Sequence, residues 1–311
     1  MATFGEIINL VCDGAQGALG LNTNRGALQQ MSKISKVGLL SPGTEFAPGD
    51  LFSLTTIQNA QIDGKLLLVD GIGTFQEVGN DDTIDTKEDD TQYVITEGKY
   101  KFDVVLYKGI YSNKQMQSIS GFGRFNIFLI DDQGNWLFTK AASGGAKGFT
   151  TGMIKNKKYQ FLDNQTGEQS GFMFQLLNRL EMDKNYALIP ACEFDGDASL
   201  IEGISEVALS FVNTPSDTDT TITFKAVLDQ DQKTPITGLA SANTVRFRNG
   251  GVAEAITPVA TATEGVYTAT VSAVSTSDVV DIEIHNAGSS KDVIVLDNYL
   301  YKSARVSATV V

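Results

Sequence analysis

Few residues of this 311-residue chain have a type and spacing that could support catalysis. The single histidine, His285, lies in an alternating segment over 279–285, which predicts a solvent-facing strand residue. One histidine without a nearby cysteine provides neither a zinc site nor a Ser-His-Asp triad. The two cysteines, Cys12 and Cys192, are too few for a disulfide framework, so we expect buried, reduced thiols.

Carboxylates are the next chemical candidates, because they serve glycoside cleavage and calcium binding. Acidic residues alternate around a glycine over 193–199, but the twelve-residue spacing and closing glutamate of an EF-hand are missing. No Gly-Lys-Ser/Thr sequence occurs, and no glycine pair forms a phosphate-binding motif. We assign no catalytic residue, no metal site and no cofactor, and we predict that the protein is not an enzyme.

The densest acidic run covers 80–90 and carries six acidic residues and one lysine. Its composition predicts a long exposed loop, because it has little apolar surface to bury. Such a loop is a candidate contact in an assembly or a candidate channel lining, and salt bridges between subunits or cation binding both remain open. The acidic residues concerned are Asp81, Asp82, Asp85, Glu88, Asp89 and Asp90.

A small basic patch is predicted from Lys147, Lys155, Lys157 and Lys158. Lys147 lies in a segment rich in glycine and serine over 141–151, which predicts a second long loop. In a chain this acidic, the four lysines are a candidate docking site for the acidic loop of another subunit.

The overall charge excludes several partners. The chain has 24 basic and 37 acidic residues, a net charge of −13, and such a chain repels phosphate backbones and anionic membranes. We therefore expect no specific nucleic-acid binding and no membrane docking, although DNA could slide past without adhering. The N-terminus lacks a basic start and a long apolar run, so no export signal or membrane span is predicted.

The elements that would position these residues are mostly strands. One short helix is predicted over 51–63 after an acidic cap at Asp50. A strand over 65–69 is expected to be buried on both faces. Further strands are predicted at 91–96, 100–107, 125–129, 136–139, 158–161, 171–177 and 206–212.

The C-terminal third predicts a separate β-sandwich. Strand-length runs recur about every 10 residues at 220–228, 244–248, 265–274, 279–285 and 293–300, beyond a junction near Pro215. The predicted fold class is all-β with one short helix: a sandwich or barrel body followed by a smaller sandwich. The predicted divisions are an N-terminal arm or assembly segment at 1–40, a body at 41–212 and the sandwich at 213–311.

Several short stretches of the body resemble structural proteins of tailed phages that infect Bacteroidota. They are Glu-Gly-Lys-Tyr-Lys-Phe at 97–102, Gly-Asn-Trp-Leu-Phe at 134–138, Lys-Gly-Phe-Thr-Thr-Gly-Met at 147–153 and Glu-Gly-Ile-Ser-Glu-Val-Ala-Leu-Ser-Phe at 202–211. The C-terminal sandwich resembles the immunoglobulin-like domains that phages append to tail and capsid subunits.

Within that group the body is most similar to tail tube subunits. The resemblance implies a virion protein, assembled in the host cytoplasm, that forms homo-oligomers, possibly hexameric rings, stacked around a DNA channel and contacting other virion proteins. The body is larger than many tube cores, and the 1–40 segment has no counterpart. A capsid decoration protein or a head or tail fibre component is the alternative, and a glycan-binding or glycan-cleaving virion protein is the least favoured one.

Overall fold

The computed structural model describes residues 2–7, 31–79, 81–87, 90–107, 109–121, 123, 125–162, 167–240, 244–286 and 291–311. It divides into two compact units, Met1–Ile201 and Glu202–Val311. Both units consist mainly of strands, which confirms the predicted all-β class. Most of the predicted N-terminal arm, including Cys12, lies outside the described residues, as does the side chain of Cys192.

Besides helical residues at 4–7 and two 3₁₀-helices at Ala191–Glu193 and Ala198–Leu200, the described part of the first unit contains three further helices and twelve strands. The helices are α1 (Leu54–Ile62), α2 (Ile110–Gln117) and α3 (Arg179–Asp183). The strands are β1 (Ile34–Leu40), β2 (Leu66–Val69), β3 (Ile72–Glu77), β4 (Thr83–Thr86), β5 (Gln92–Thr96), β6 (Lys101–Leu106), β7 (Asn126–Asp131), β8 (Trp136–Lys140), β9 (Ala146–Lys147), β10 (Phe149–Asn156), β11 (Ser170–Leu176) and β12 (Tyr186–Ile189).

Ten of these strands form one sheet in the order β12-β8-β7-β10-β11-β6-β3, with β1, β2 and β9 attached at its side. Strand β1 pairs along one edge of β7, whereas β8 and β10 divide the other edge. Leu129 of β7 pairs with Leu137, and Ile127 pairs with Phe149. The predicted hairpin over 125–139 is therefore confirmed as β7–β8.

Strand β7 is buried on both faces, whereas its alternation indicated one buried face and a more mixed second face. Phe128 and Ile130 join a core with Trp136 and Phe138, which includes a T-shaped contact between Phe128 and Phe138 at 5.4 Å. Ile127 and Leu129 join a second core, which β6, β10 and β11 complete. In β2, Leu66 is buried in one core and Val69 in the other, whereas Leu67 is 38% exposed, so the prediction that β2 is buried on both faces holds except at Leu67.

The predicted helix is α1. Its N-cap is Ser53, whose hydroxyl accepts a hydrogen bond from the Thr56 amide at 3.3 Å, and not Asp50. Ile57 and Ala60 are buried, and the chain turns at Gly64 with a positive φ of 68°. Helices α2 and α3 were not predicted, because both are short and polar.

The hairpin predicted from the 158–161 and 171–177 segments is present but is longer than predicted. Strand β11 pairs with β10, and beyond these strands Gln160 exchanges two backbone hydrogen bonds with Gln169 at 3.0 and 3.1 Å. The predicted glycine-rich loop over 141–151 includes the start of β10, because glycine is depleted in strands and its presence obscured the strand signal. Gly148 lies so close to β7 that a Cβ there would be 2.7 Å from the Ile127 nitrogen, so the glycine permits strand contact.

The second unit is a sandwich of two sheets, in the orders β17-β18-β14-β13-β21-β20 and β16-β15-β19-β22. Its strands are β13 (Ser205–Phe211), β14 (Thr221–Leu228), β15 (Val245–Asn249), β16 (Val252–Ile256), β17 (Val259–Ala260), β18 (Val266–Thr270), β19 (Val279–Ile284), β20 (Ile294–Leu296), β21 (Tyr299–Ser303) and β22 (Val306–Thr309). Phe224 and Tyr267 from one sheet and Phe247 and Ile282 from the other share a single core. The immunoglobulin-like assignment stays a prediction.

The division between the units corrects the boundary predicted at 213. Strand β13 was assigned to the body, but it pairs antiparallel with β14 and parallel with β21. Val207 and Leu209 of β13 are buried in the core of the sandwich. The Pro215 region is therefore a turn inside the second unit, because a turn signal alone does not distinguish a linker from a connection between paired strands.

We predict that a fragment covering 202–311 folds by itself, whereas a fragment covering 213–311 does not. The shorter fragment lacks β13, which exposes the edges of β14 and β21 and removes two buried aliphatic side chains, each contributing about 2–3 kcal/mol. Circular dichroism during heating is the measurement, and the longer fragment should show a cooperative transition. Equal stability of the two fragments would contradict the assignment of β13 to the second unit.

Candidate functional site

Strands β3 to β6 form a long antiparallel ribbon whose outer half leaves the sheet. Strands β3 and β6 pair as far as Glu77 and Phe102, and the Val78 amide then bonds to the Lys101 carbonyl at 2.8 Å. Beyond this point β4 and β5 pair only with each other. Since β3 is the last strand of its sheet, this outer part, the β4–β5 hairpin, has no further strand beside it among the described residues.

The hairpin exposes apolar side chains on both of its strands. Every residue of β4 and β5 is exposed, and the exposed fractions of Ile84, Val94 and Ile95 are 55%, 49% and 58%. An isolated two-stranded hairpin is at best marginally stable in water. Its apolar surface is thus the type that is covered in an assembly.

Side chains near the turn fix its local shape. The Tyr93 hydroxyl donates to the Asp85 carboxylate at 2.8 Å, and this bond raises the pKa of Tyr93. The Lys87 ammonium lies 5.4 Å from the centre of the Tyr93 ring, a cation–π distance. Asp90 adopts a positive φ of 62° and its amide bonds to the Lys87 carbonyl at 3.0 Å.

An ion-pair network joins the base of the hairpin to α3. The Arg179 guanidinium contacts Asp82 through Nη1 and donates from Nε to Asp183 at 2.8 Å. The Tyr100 hydroxyl donates to the other oxygen of Asp183 at 2.6 Å, and the Gly98 amide donates to Asp82 at 2.7 Å. The segment that enters the hairpin is thereby bonded to Arg179 itself, and the segment that leaves it is bonded to the two carboxylates that Arg179 contacts.

This network is not suited to proton transfer near neutral pH. The Gly98 amide and the Arg179 side chain lower the pKa of Asp82. The Tyr100 hydroxyl, with Arg179, lowers the pKa of Asp183 below its usual range. Both carboxylates are therefore ionised, and their role is to hold the hairpin in position. Among the described residues, no three His, Cys, Asp or Glu side chains are grouped as a metal site.

The predicted acidic loop is thus a hairpin, and its acids have different roles. Asp81 is exposed, Asp82 belongs to the base network, Asp85 binds Tyr93 and Asp90 forms the turn. Glu88 and Asp89 lie outside the described residues. The loop prediction was wrong for 83–86 because the acids obscured the β-branched residues Thr83, Ile84 and Thr86, which favour strands.

The four lysines predicted as one patch are separated. Lys147 donates a hydrogen bond to Glu181 at 3.0 Å. Lys155 follows eight residues later, and in an extended chain this spacing separates the two lysines by about 25 Å. Lys157 pairs with Asp103 at 2.8 Å. Lys155 and Lys158 are exposed, so only these two are open to an external partner. The sequence did not indicate this, because 149–151 was predicted as loop and the rest of β10 was not predicted as a strand.

His285 is not a solvent-facing residue; its exposed fraction is 9%. Its Nδ1 lies 2.9 Å from the Asp292 carboxylate, and its Nε2 lies 3.3 Å from Arg246. Arg246 also donates from Nε to Glu283 at 2.7 Å, and Arg248 donates to the same oxygen at 2.9 Å. Since Arg246 and Glu283 occupy paired positions on β15 and β19, this cluster is a cross-strand ion network of the second unit.

No family model and no curated protein matches this sequence. Among solved structures, one similar chain is SGBP-B of the Bacteroides ovatus mixed-linkage glucan utilization locus, in complex with a mixed-linkage heptasaccharide. The identity is 9% and the TM-score is 0.22, with 79% of this chain and 62% of that chain covered. A similarity of this size carries no argument about fold or function. Among the described residues, no helix has the length and apolarity needed to span a membrane.

We predict that Arg179→Gln loosens the hairpin without unfolding the first unit. The substitution removes the charge that holds Asp82 and Asp183 together, while the two hydrophobic cores stay intact. Amide hydrogen exchange should accelerate at least about tenfold over 83–96, with the melting temperature nearly unchanged. Lys184→Gln, at an exposed position just after α3, is the matched control. Unchanged exchange in Arg179→Gln would show that the network does not hold the hairpin.

We predict that Glu283→Gln destabilises the second unit by about 2–4 kcal/mol at neutral pH, because Arg246 and Arg248 lose their shared carboxylate. Burial raises the pKa of Glu283, but the two arginines lower it more, and the net result is below the ordinary 4.5. The contribution of Glu283 is therefore complete above about pH 4.5 and is lost as the pH falls through its folded-state pKa. Denaturant unfolding at pH 7 and pH 3 should show the difference from the wild type shrinking in acid, with exposed Glu264→Gln as control.

Proposed function

We propose that this chain is a self-assembling structural subunit of a phage virion, of the tail tube class, which forms stacked rings around a DNA channel. One observation carries the proposal: an apolar hairpin projects beyond the last strand of its sheet and is held at its base by the Arg179 network. A segment that is both anchored and apolar is built to contact something outside its own unit. We take that partner to be another copy of the chain.

Charge supports the channel part of the proposal. The net charge of −13 repels a phosphate backbone, so DNA would pass through a channel of such subunits without adhering. The resemblance of the body to tail tube subunits supports the same class. The site chemistry supports a structural role, because the carboxylates brought together by Arg179 are ionised and bound.

The proposal is tested by electron microscopy of negatively stained purified protein, with light scattering for mass. We expect the wild type to form stacked rings or tubes with a central channel. Replacement of Ile84, Val94 and Ile95 by serine removes the apolar contact surface, and full burial of each side chain contributes about 1.5–3 kcal/mol. We therefore expect the concentration needed for stacking to rise at least about tenfold.

Matched controls are Val252→Ser and Val259→Ser, which change side chains of the second unit with exposed fractions of 74% and 60%. These variants should assemble like the wild type. A wild-type protein that stays monomeric, or that binds only to preformed heads, would overturn the tail tube proposal and favour a capsid decoration protein. Assembly of the triple serine variant at wild-type concentrations would exclude the hairpin as the contact.

A further inference from the structure

The strand register of the first unit defines two opposite ends of its sheet. At one end, Lys101 of β6 pairs with Gln175 of β11, and the neighbouring Leu176 pairs with Thr151 of β10. At the other end, Leu106 pairs with Ser170, and Phe172 pairs with Asn156. Because all three strands are antiparallel to their neighbours, the chain connections at the two ends point in opposite directions.

The β4–β5 hairpin leaves the sheet at the first end, directly before Lys101. The connection from β10 to β11 leaves at the second end, directly after Asn156, and its described parts are 157–162 and 167–169. The hairpin and this connection therefore occupy opposite ends of the same antiparallel strands. Each copy of the chain has the hairpin at the first end and the connection at the second end.

The connection is as exposed and as apolar as the hairpin. The exposed fractions of Phe161 and Leu162 are 73% and 75%. The Phe161 ring packs edge-on against the Tyr159 ring, with ring centres 5.0 Å apart. Tyr107 and Ile110, after β6 at the same end, are also exposed.

The two ends differ in charge. Asp81 and Asp85 are exposed on the hairpin, where the opposing charges are Lys87 and Lys99. At the other end Lys155 and Lys158 are exposed, and neither has an ion-pair partner among the described residues. Lys157 is neutralised by Asp103, and Glu168 is an exposed acidic residue at this end. The surface formed by Lys155, Lys158, Phe161 and Leu162 is here called the acceptor surface.

We infer that the hairpin of one copy docks on the acceptor surface of the next copy, so that subunits stack head to tail. Both surfaces are apolar, and their exposed charges are opposite, which favours contact between them over contact between like surfaces. A hairpin–hairpin dimer would bring acidic strands together, and like charges across strands are destabilising. A head-to-tail contact uses two different surfaces, so each added copy presents a further hairpin or acceptor surface, and where the rotation between copies does not close a ring the contact generates an open stack.

This inference rests on the proposed self-assembly. Charge-reversal variants of the hairpin and of the acceptor surface test the docking inference separately from the proposed function. The hairpin variant combines Asp81→Lys with Asp85→Lys, and the acceptor variant combines Lys155→Glu with Lys158→Glu. Each variant by itself presents like charges at every contact, so we expect its stacking concentration to rise at least about tenfold. In an equimolar mixture each hairpin meets an acceptor surface of opposite charge, so we expect stacks to form again with the two variants alternating.

Controls are Glu264→Lys and Lys225→Glu, exposed positions of the second unit, which should leave stacking unchanged. Circular dichroism and hydrogen exchange confirm that each variant is folded before assembly is compared. If the wild type stacks but the charge variants stack equally well, or if their mixture shows no recovery, the docking inference fails and the proposed function stands. If the wild type does not assemble, both fail.

Discussion

The double burial of β7 is the constraint on which the first unit depends. Successive side chains of a strand point to opposite faces, so Phe128 and Ile130 fill one core while Ile127 and Leu129 fill the other. A shift of β7 by one residue would exchange the occupants of both cores. The three strands that pair with β7 are thereby held in a single register, and the order of the remaining strands follows outward from them to β3.

The position of β3 explains why the candidate site exists. The sheet ends at β3 while the ribbon formed with β6 continues past it, so the β4–β5 hairpin obtains no support from neighbouring strands in the described structure. Polar interactions at its base replace that support: Arg179 joins Asp82 on the ingoing segment to Asp183 of α3, and Tyr100 on the outgoing segment bonds to the same Asp183. Rigidity at the base reduces the entropy that docking would otherwise cost, while the exposed apolar residues remain available for contact.

The second unit is stabilised by one core, whereas the first unit has two. The two sheets of the second unit share that core, and the buried Glu283 of β19 accepts hydrogen bonds from Arg246 and Arg248 of β15. The parallel pairing of β13 with β21 joins residues nearly a hundred positions apart and completes the larger sheet. Closing so long a segment of chain costs conformational entropy. The pairing and burial of β13 offset that cost, so β13 is an integral part of this unit and not a linker to it.

The sequence by itself determined the all-β class, the helix α1, the β7–β8 hairpin and most strands of the second unit, because these depend on local periodicity and turn residues. It also identified the acidic run and the exposed lysines as chemically distinctive. Only the tertiary structure decided that the run forms a hairpin with Asp82 bound to Arg179, that Lys147 pairs with Glu181 far from Lys155, and that His285 is buried beside Arg246. These contacts join residues distant in sequence, and their formation depends on which strands pair, a choice that local composition does not encode.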